Sequence, residues 1–329
     1  MRALLARSPI DGFVLAILAA VIVAAVFPAR GDVAEVMDWV VTIAIGFLFF
    51  LYGARLHPRE ALEGLRHWRL HLLILAFTFV VFPLIGLALG PVVRPLLGDG
   101  LSAGVLYLCL VPSTVQSSIA FTSVAKGNVA GAIVSASASN LIGVVGTPLL
   151  VVALMSNTNG VHIDGGSVVK ILAQILMPFL VGQLCRPLVA GFLHRFAAPT
   201  KLADRGSIVL VVYVAFSEGV RNGIWSVVDA WQVIVVIAGA IALVAVMLWL
   251  TGVIPRRLGF DRADVIAVQF CGTKKSLATG LPMATVLFSG SVVGLIVLPL
   301  MIFHQVQLIM CSALAARYGR EGADGPDLG

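Results

Sequence analysis

Apolar stretches long enough to cross a bilayer follow one another almost without a gap from Val14 to Ala315. A hydrocarbon core about 30 Å thick needs roughly 20 predominantly apolar residues per helix. Read against its glycines, prolines and basic clusters, the chain yields ten such spans: approximately 11–29, 38–54, 70–90, 101–125, 128–155, 167–192, 206–222, 229–254, 263–288 and 291–316. The expected fold is an all-α polytopic membrane protein. Its first apolar run follows MRALLARSPIDG but is not followed by a cleavage site and a polar mature chain, so it reads as a retained helix rather than a signal peptide.

Two spans break the apolar pattern. The fourth is interrupted by VPSTVQSS (Val111 to Ser118) and the ninth by CGTKKS (Cys271 to Ser276). They hold the same ordinal place in two halves of five helices. Each is followed by a similar turn and helix start, GNVAGAIV from Gly127 and GSVVGLIV from Gly290. Halves with an odd number of spans enter the membrane from opposite sides, so the duplication predicts an inverted repeat. Residues 1–160 form the first five-helix repeat, 161–320 the second and 321–329 a cytoplasmic tail. Paired, interrupted hydrophobic segments in corresponding positions point to a transporter binding site near the bilayer midplane.

Charge then fixes an orientation. With the N-terminus inside, sixteen basic residues fall on the cytoplasmic side, among them Arg55, Arg59, Arg66, Arg69, Arg256, Arg257 and Arg262. Only Arg30, Arg94, Lys170 and Arg221 fall opposite, which predicts an inner-membrane protein with both termini cytoplasmic. The net charge of +6 is thus a topology signal rather than a nucleic-acid footprint. Apolar residues make up 60% of the chain and charged ones 12%, against about 25% in soluble domains, which excludes a water-soluble protein. Cys109, Cys185, Cys271 and Cys311 are dispersed in apolar runs and read as packing residues rather than as a disulfide or zinc framework. The sequence has no Ser-His-Asp order, no HExxH and no paired intramembrane carboxylates, so an enzyme is not expected.

The remaining basic residues, Lys274 and Lys275, lie inside a span. Lys274 is twelve residues past Arg262, roughly 18 Å along a helix and too deep to reach either surface. An ionised lysine there costs about 2.5–3.5 kcal/mol and faces a cavity or a polar partner. Around it stand Thr273 and Ser276, and the fourth span offers Ser113, Thr114, Gln116, Ser117 and Ser118 about Pro112. Such side chains can satisfy backbone groups freed at a proline or a helix break. Alternatively, with half-helix ends, they converge on an ion or an anionic substrate, and their clustering in both halves favours this second reading. Asn140 joins them from the fifth span, whereas Ser135, Ser137 and Ser139 read as helix-packing hydroxyls. His304, one turn before Gln307, is either a proton-coupling group or a satisfied core histidine.

The segment VPSTVQSSIAFTSVAKGNVAGAIVSASASNLIGVVGTPLL (Val111 to Leu150) resembles the crossing helix and the next helix of the bile acid:sodium symporter family, which is solute carrier family 10-like. FCGTKKSLATGLPMA (Phe270 to Ala284), PFLVGQLCRP (Pro178 to Pro187) and VVYVAFSEGV (Val211 to Val220) extend the resemblance over nearly the whole chain. It implies a panel domain of helices 1, 2, 6 and 7 and a core domain of helices 3–5 and 8–10, with helices 4 and 9 broken and crossing. It also implies Na+ as the coupling ion. Alignment on the ninth-helix glycine, however, puts Phe270 and Lys274 where sodium-coupled relatives have an acidic ligand and a glutamine. Ala132 and Ala136 replace their helix-five hydroxyls. The usual sodium sites are thus expected to be lost, and a lysine ammonium, expected to be that of Lys274, can stand where a cation sits in relatives. The expected function is alternating-access transport of a small amphipathic organic anion, bile acid/steroid-conjugate-like or a carboxylate. A metalloid or other organic-acid carrier, and a ligand sensor without turnover, are the alternatives.

Overall fold

The computed structural model describes residues 12–55, 67–155, 165–221, 223, 228–288 and 292–321. Their regular elements are all helical. In chain order they are α1 (Gly12–Val26), α2 (Asp32–Arg55), α3 (Trp68–Ala76), a π turn (Phe77–Val81) and α4 (Phe82–Leu110), then α5 (Gln116–Val124) and α6 (Val129–Met155). After these come α7 (Gly165–Arg195), α8 (Ala197–Arg221), α9 (Ala230–Arg257), α10 (Arg262–Gly272), α11 (Leu277–Leu287) and α12 (Val293–Glu321). Five runs among the described residues are long and apolar enough to cross a membrane: α2, the run Trp68–Leu110, α6, α9 and α12. Arg2, Arg7, Arg59 and Arg66, four of the sixteen basic residues counted on the cytoplasmic side, lie outside the described residues.

Two boundaries differ from the hydropathy reading. The third span and the first half of the fourth form one helical run, turned at Gly98, whose φ of 75° and ψ of 177° favour a residue without a Cβ. α8 begins at Ala197 rather than near 206 because its first turns, APTKLADR, are helical but too polar to register as membrane-spanning.

Contacts divide the chain into two compact units. One gathers Met1–Leu56, Pro148–Asp229 and Gly280–Val297. Its tightest crossing is between α2 and α7, where a Cβ at Gly53 would collide with the Phe179 backbone and one at Gly182 with the Phe50 backbone. Backbone cannot yield as a side chain can. Gly53→Ala is therefore expected to cost about 1–3 kcal/mol in overpacking, whereas Gly191→Ala, with open space around its Cβ, should not destabilise. Thermal unfolding of the two variants in detergent checks the contrast.

The other unit gathers His57–Thr147, Ala230–Thr279 and Leu298–Gly329. In it the stretch AKGN links α5 to α6 through two caps. Lys126, at φ 57°, ends α5 in the left-handed conformation, and Gly127 N–H donates to Thr122 O (2.8 Å) while Lys126 N–H donates to Ser123 O (3.1 Å). A Cβ on Gly127 would strike Ile266, so glycine allows this turn to rest on α10. Asn128 then caps α6 by accepting from Gly131 N–H (2.8 Å) and donates to Asp264 (2.6 Å). The start of α10 is itself capped by Asp261, which accepts from Asp264 N–H at 2.8 Å. These caps fix where the interrupted helices α4–α5 and α10–α11 begin and end.

Candidate functional site

Every helix end leaves backbone groups without intrahelical partners, and a buried end must find them elsewhere. α4 stops at Leu110 because Val111 turns extended (φ −76°, ψ 155°) and Pro112 follows without an N–H. Its freed carbonyls are met one by one. Thr147 Oγ1 donates to Leu110 O (2.9 Å), Ser276 N–H to Pro112 O (2.8 Å) and Asn140 Nδ2 to Ser113 O (2.8 Å). α10 stops at Gly272, and the first interruption returns the service. Ser113 Oγ donates to Cys271 O (2.6 Å) and Ser118 Oγ to Phe270 O (3.1 Å). The two interruptions thus meet, each supplying donors to the helix end of the other. α6 lies close enough behind them that a Cβ on Gly143 would collide with Pro112.

Cys109 O and Val111 O are taken by the Lys275 ammonium, at 2.9 and 2.8 Å. A third acceptor is Thr78 O at 2.9 Å, a carbonyl of the π turn Phe77–Val81, where the regular helical bond pattern is displaced. Three carbonyls around one Nζ match the three N–H donors of an ammonium, whereas a neutral amine has only two. Two of them belong to the C-terminal end of α4, where the helix dipole favours positive charge. The Phe82 ring lies 4.2 Å from the same Nζ. This is the coordination an ion would receive, built around a side chain. The Lys275 peptide is clamped as well, since its N–H donates to Gln307 Oε1 (2.8 Å) and its C=O accepts from Gln307 Nε2 (2.9 Å).

Lys274, which the glycine alignment placed at the cation position, makes no hydrogen bond to these three carbonyls. Its Nζ is fully buried and turned the other way, 3.7 Å from the Phe121 ring centre, with no hydrogen-bond acceptor among the described residues. Adjacent residues in a non-helical turn point to opposite sides, and the alignment could not tell which of the pair faces the carbonyls.

The other candidates sort by the same geometry. Ser276 caps α11, accepting from Thr279 N–H (3.2 Å), and Thr273 Oγ1 pairs with Thr251 Oγ1 (2.9 Å). Thr114 Oγ1 lies 2.7 Å from Ser117 Oγ and 2.9 Å from Ser118 Oγ. Asn140 ties the first interruption to α11, because its Oδ1 accepts from Thr279 Oγ1 at 2.8 Å. Gln116 begins α5 and is exposed, apart from the crossing. His304 Nδ1 lies 2.8 Å from Gln307 Nε2, whose nitrogen has only hydrogens to offer. Nδ1 also lies 3.5 Å from Lys275 O, so it accepts from the Gln307 amide in one tautomer and donates to that carbonyl in the other.

Several contributors carried little sequence signal. Ser139, which accepts from Ser113 N–H (3.0 Å), reads in the sequence as a packing hydroxyl, and Thr147 carries no signal there. Nothing in the sequence marks Thr279, nor the Thr78 carbonyl, since a π turn has no composition signature. Ser113→Ala is expected to cost about 1–3 kcal/mol by leaving Cys271 O without its donor. Thermal unfolding checks this, with Ser137→Ala as the reference.

Comparison with known proteins shows the family of the chain. The model of the SBF-like CPA transporter family matches residues 11–320. The chain is 48% identical to the uncharacterized protein PA2026 of Pseudomonas aeruginosa over 95% of this chain and 94% of that one. It is 46% identical to YfeH of Escherichia coli, named as a candidate symporter, over 95% and 94%. Sodium/bile acid cotransporter 7-B of Xenopus laevis is 28% identical over 94% and 92%. The family whose crossing-helix motifs the sequence resembles is therefore shown by direct match: the chain belongs to the SBF-like CPA transporter family, a family of membrane transporters.

Proposed function

We propose that this transporter carries a small amphipathic organic anion by alternating access, and that its crossed helices are held by the Lys275 ammonium in place of bound sodium. The observation that carries the reading is the set of three carbonyls, Thr78 O, Cys109 O and Val111 O, saturated by one fixed charge. A second cation beside that ammonium would be repelled far more strongly in a low-dielectric interior than in water. Ala132 and Ala136 stand on α6 without hydroxyls to bind an ion.

In this reading the chain comprises two inverted five-helix repeats, 1–160 and 161–320, of ten spans in all. It lies in the inner membrane with both termini cytoplasmic, and helices 1, 2, 6 and 7 act as a panel against a core of helices 3–5 and 8–10. The sodium/bile acid cotransporter name of its relatives supports an organic-anion substrate. A metalloid carrier would need an available thiolate near the crossing. Cys109 is buried, its Sγ packed under Gly86, which does not favour that alternative.

The test is uptake into proteoliposomes across a panel of bile acids, steroid sulfates and simple carboxylates, in sodium and in choline medium. Saturable uptake of an amphipathic anion, equal in both media, is expected. Binding of such an anion without uptake would convert the transporter reading into the sensor reading, and uptake that requires sodium would overturn the substitution.

A further inference from the structure

Lys274 and Lys275 are neighbours in one turn, yet their ammonium ends meet opposite chemistry. Lys275 has one carbonyl for each N–H. Lys274 Nζ has no hydrogen-bond acceptor among the described residues. It stands 3.7 Å from the centre of the Phe121 ring and 5.8 Å from that of Phe270. Phe270 packs edge-on against Phe121 and Tyr318, and around it Ala125, Ile266, Cys311 and Ala315 form a buried cluster flanked by Leu248 and Leu314.

The ionisable groups around this box come from each element packed against it. α5 presents Phe121 and α9 presents Leu248, neither of which titrates. α10 presents the Cys271 thiol, which leans toward Ala132 O at 3.8 Å. α12 presents the Cys311 thiol and Tyr318, whose hydroxyl donates to Gln269 Oε1 at 3.0 Å. Lys275, next in the chain, carries a charge committed to its carbonyls. A phenyl face returns only part of the hydration an ammonium loses on leaving water. The fixed charge of Lys275 nearby adds to the penalty on a second one.

We propose that Lys274 is a proton-binding site that switches during the transport cycle. In the closed box its side chain is a neutral amine. When the half-helices part and water reaches it, the nitrogen lone pair takes one proton from hydronium, forming one N–H bond and leaving water. On closing, the ammonium returns that proton to water and the lone pair is restored. No other bond changes. The turnover of one proton per opening ties the cycle to pH. The inference rests on the reading that Lys275 is the fixed cation of the crossing, and the experiment separates the two.

The chain has five lysines, Lys126, Lys170, Lys201, Lys274 and Lys275. With Lys126, Lys170 and Lys201 replaced by arginine and the remaining two labelled with nitrogen-15, the Nζ resonances of the protein in lipid nanodiscs are followed by NMR from alkaline to mildly acidic pH. One resonance is expected at the ammonium position throughout, while the other moves from amine to ammonium along a one-proton curve. Lys274→Met should remove the moving signal. Should that variant fail to fold, Phe121→Leu makes the assignment instead, because losing the ring at 3.7 Å displaces the Lys274 signal. Two static signals, whether both ammonium or both amine, overturn the proton site and, where one of them is ammonium at Lys275, leave the fixed-cation reading standing. A moving signal that responds to Phe82→Leu, whose ring lies 4.2 Å from Lys275 Nζ, overturns the fixed-cation reading and the proton site together.

Discussion

Lys275→Met is expected to lower stability by about 3–5 kcal/mol, the cost of removing one side of a buried charge-assisted cluster. The ammonium satisfies Thr78 O, Cys109 O and Val111 O at once, so its loss strands all three. Methionine keeps most of the volume, so the loss reports the hydrogen bonds rather than a cavity. Lys274→Met is expected to behave oppositely. Among the described residues its Nζ has no hydrogen-bond partner, and it lies among Phe121, Phe270 and the Cys311 cluster, where an apolar chain of similar volume is neutral or stabilising. Thermal unfolding by circular dichroism in detergent compares the pair. Equal losses would mean that the two lysines share one structural role.

Asn140→Leu should have the next largest effect, about 2–4 kcal/mol, since it strands Ser113 O and the Thr279 hydroxyl at about 1–3 kcal/mol per buried group. Asn140 ties the Ser113 carbonyl to the first turn of α11, so its loss should loosen the crossing on both sides. Asn140→Asp, which retains the acceptor for Thr279 but loses the donor to Ser113 O, should fall between. Hydrogen exchange at the amides of Ser113 and Ser276 distinguishes a loosened crossing from a general loss of stability. In the first case those amides exchange faster while the Asn128–Gly131 cap stays protected.

The parts of this architecture legible in the sequence are those written as hydropathy or as helix punctuation. The runs that became α6, α9 and α12 are long and apolar. The breaks at Pro112 and after Gly272 stood out because polar residues occupy what would otherwise be continuous apolar helices. AKGN was recognisable as a motif before its two caps were seen. What escaped is what depends on direction rather than composition. Lys274 and Lys275 are chemically identical in sequence, and only the turn that orients them decides which one meets carbonyls and which meets phenyl rings. The third carbonyl, Thr78 O, becomes available through a π turn in FTFVV, a segment that reads as ordinary helix. The polar start of α8 was hidden because hydropathy registers membrane residence, not helix.

The central claim is that a side-chain ammonium, not a sodium ion, holds the crossed interruptions together. A ligand that binds only the folded state raises stability as its concentration rises above its dissociation constant. The direct measurement is therefore thermal unfolding of the purified, substrate-free protein in detergent, with sodium chloride exchanged stepwise for choline chloride at constant ionic strength. The account predicts a midpoint that does not move with sodium. A midpoint that climbs with the logarithm of sodium concentration, and stops doing so in a Lys275 variant, would contradict it.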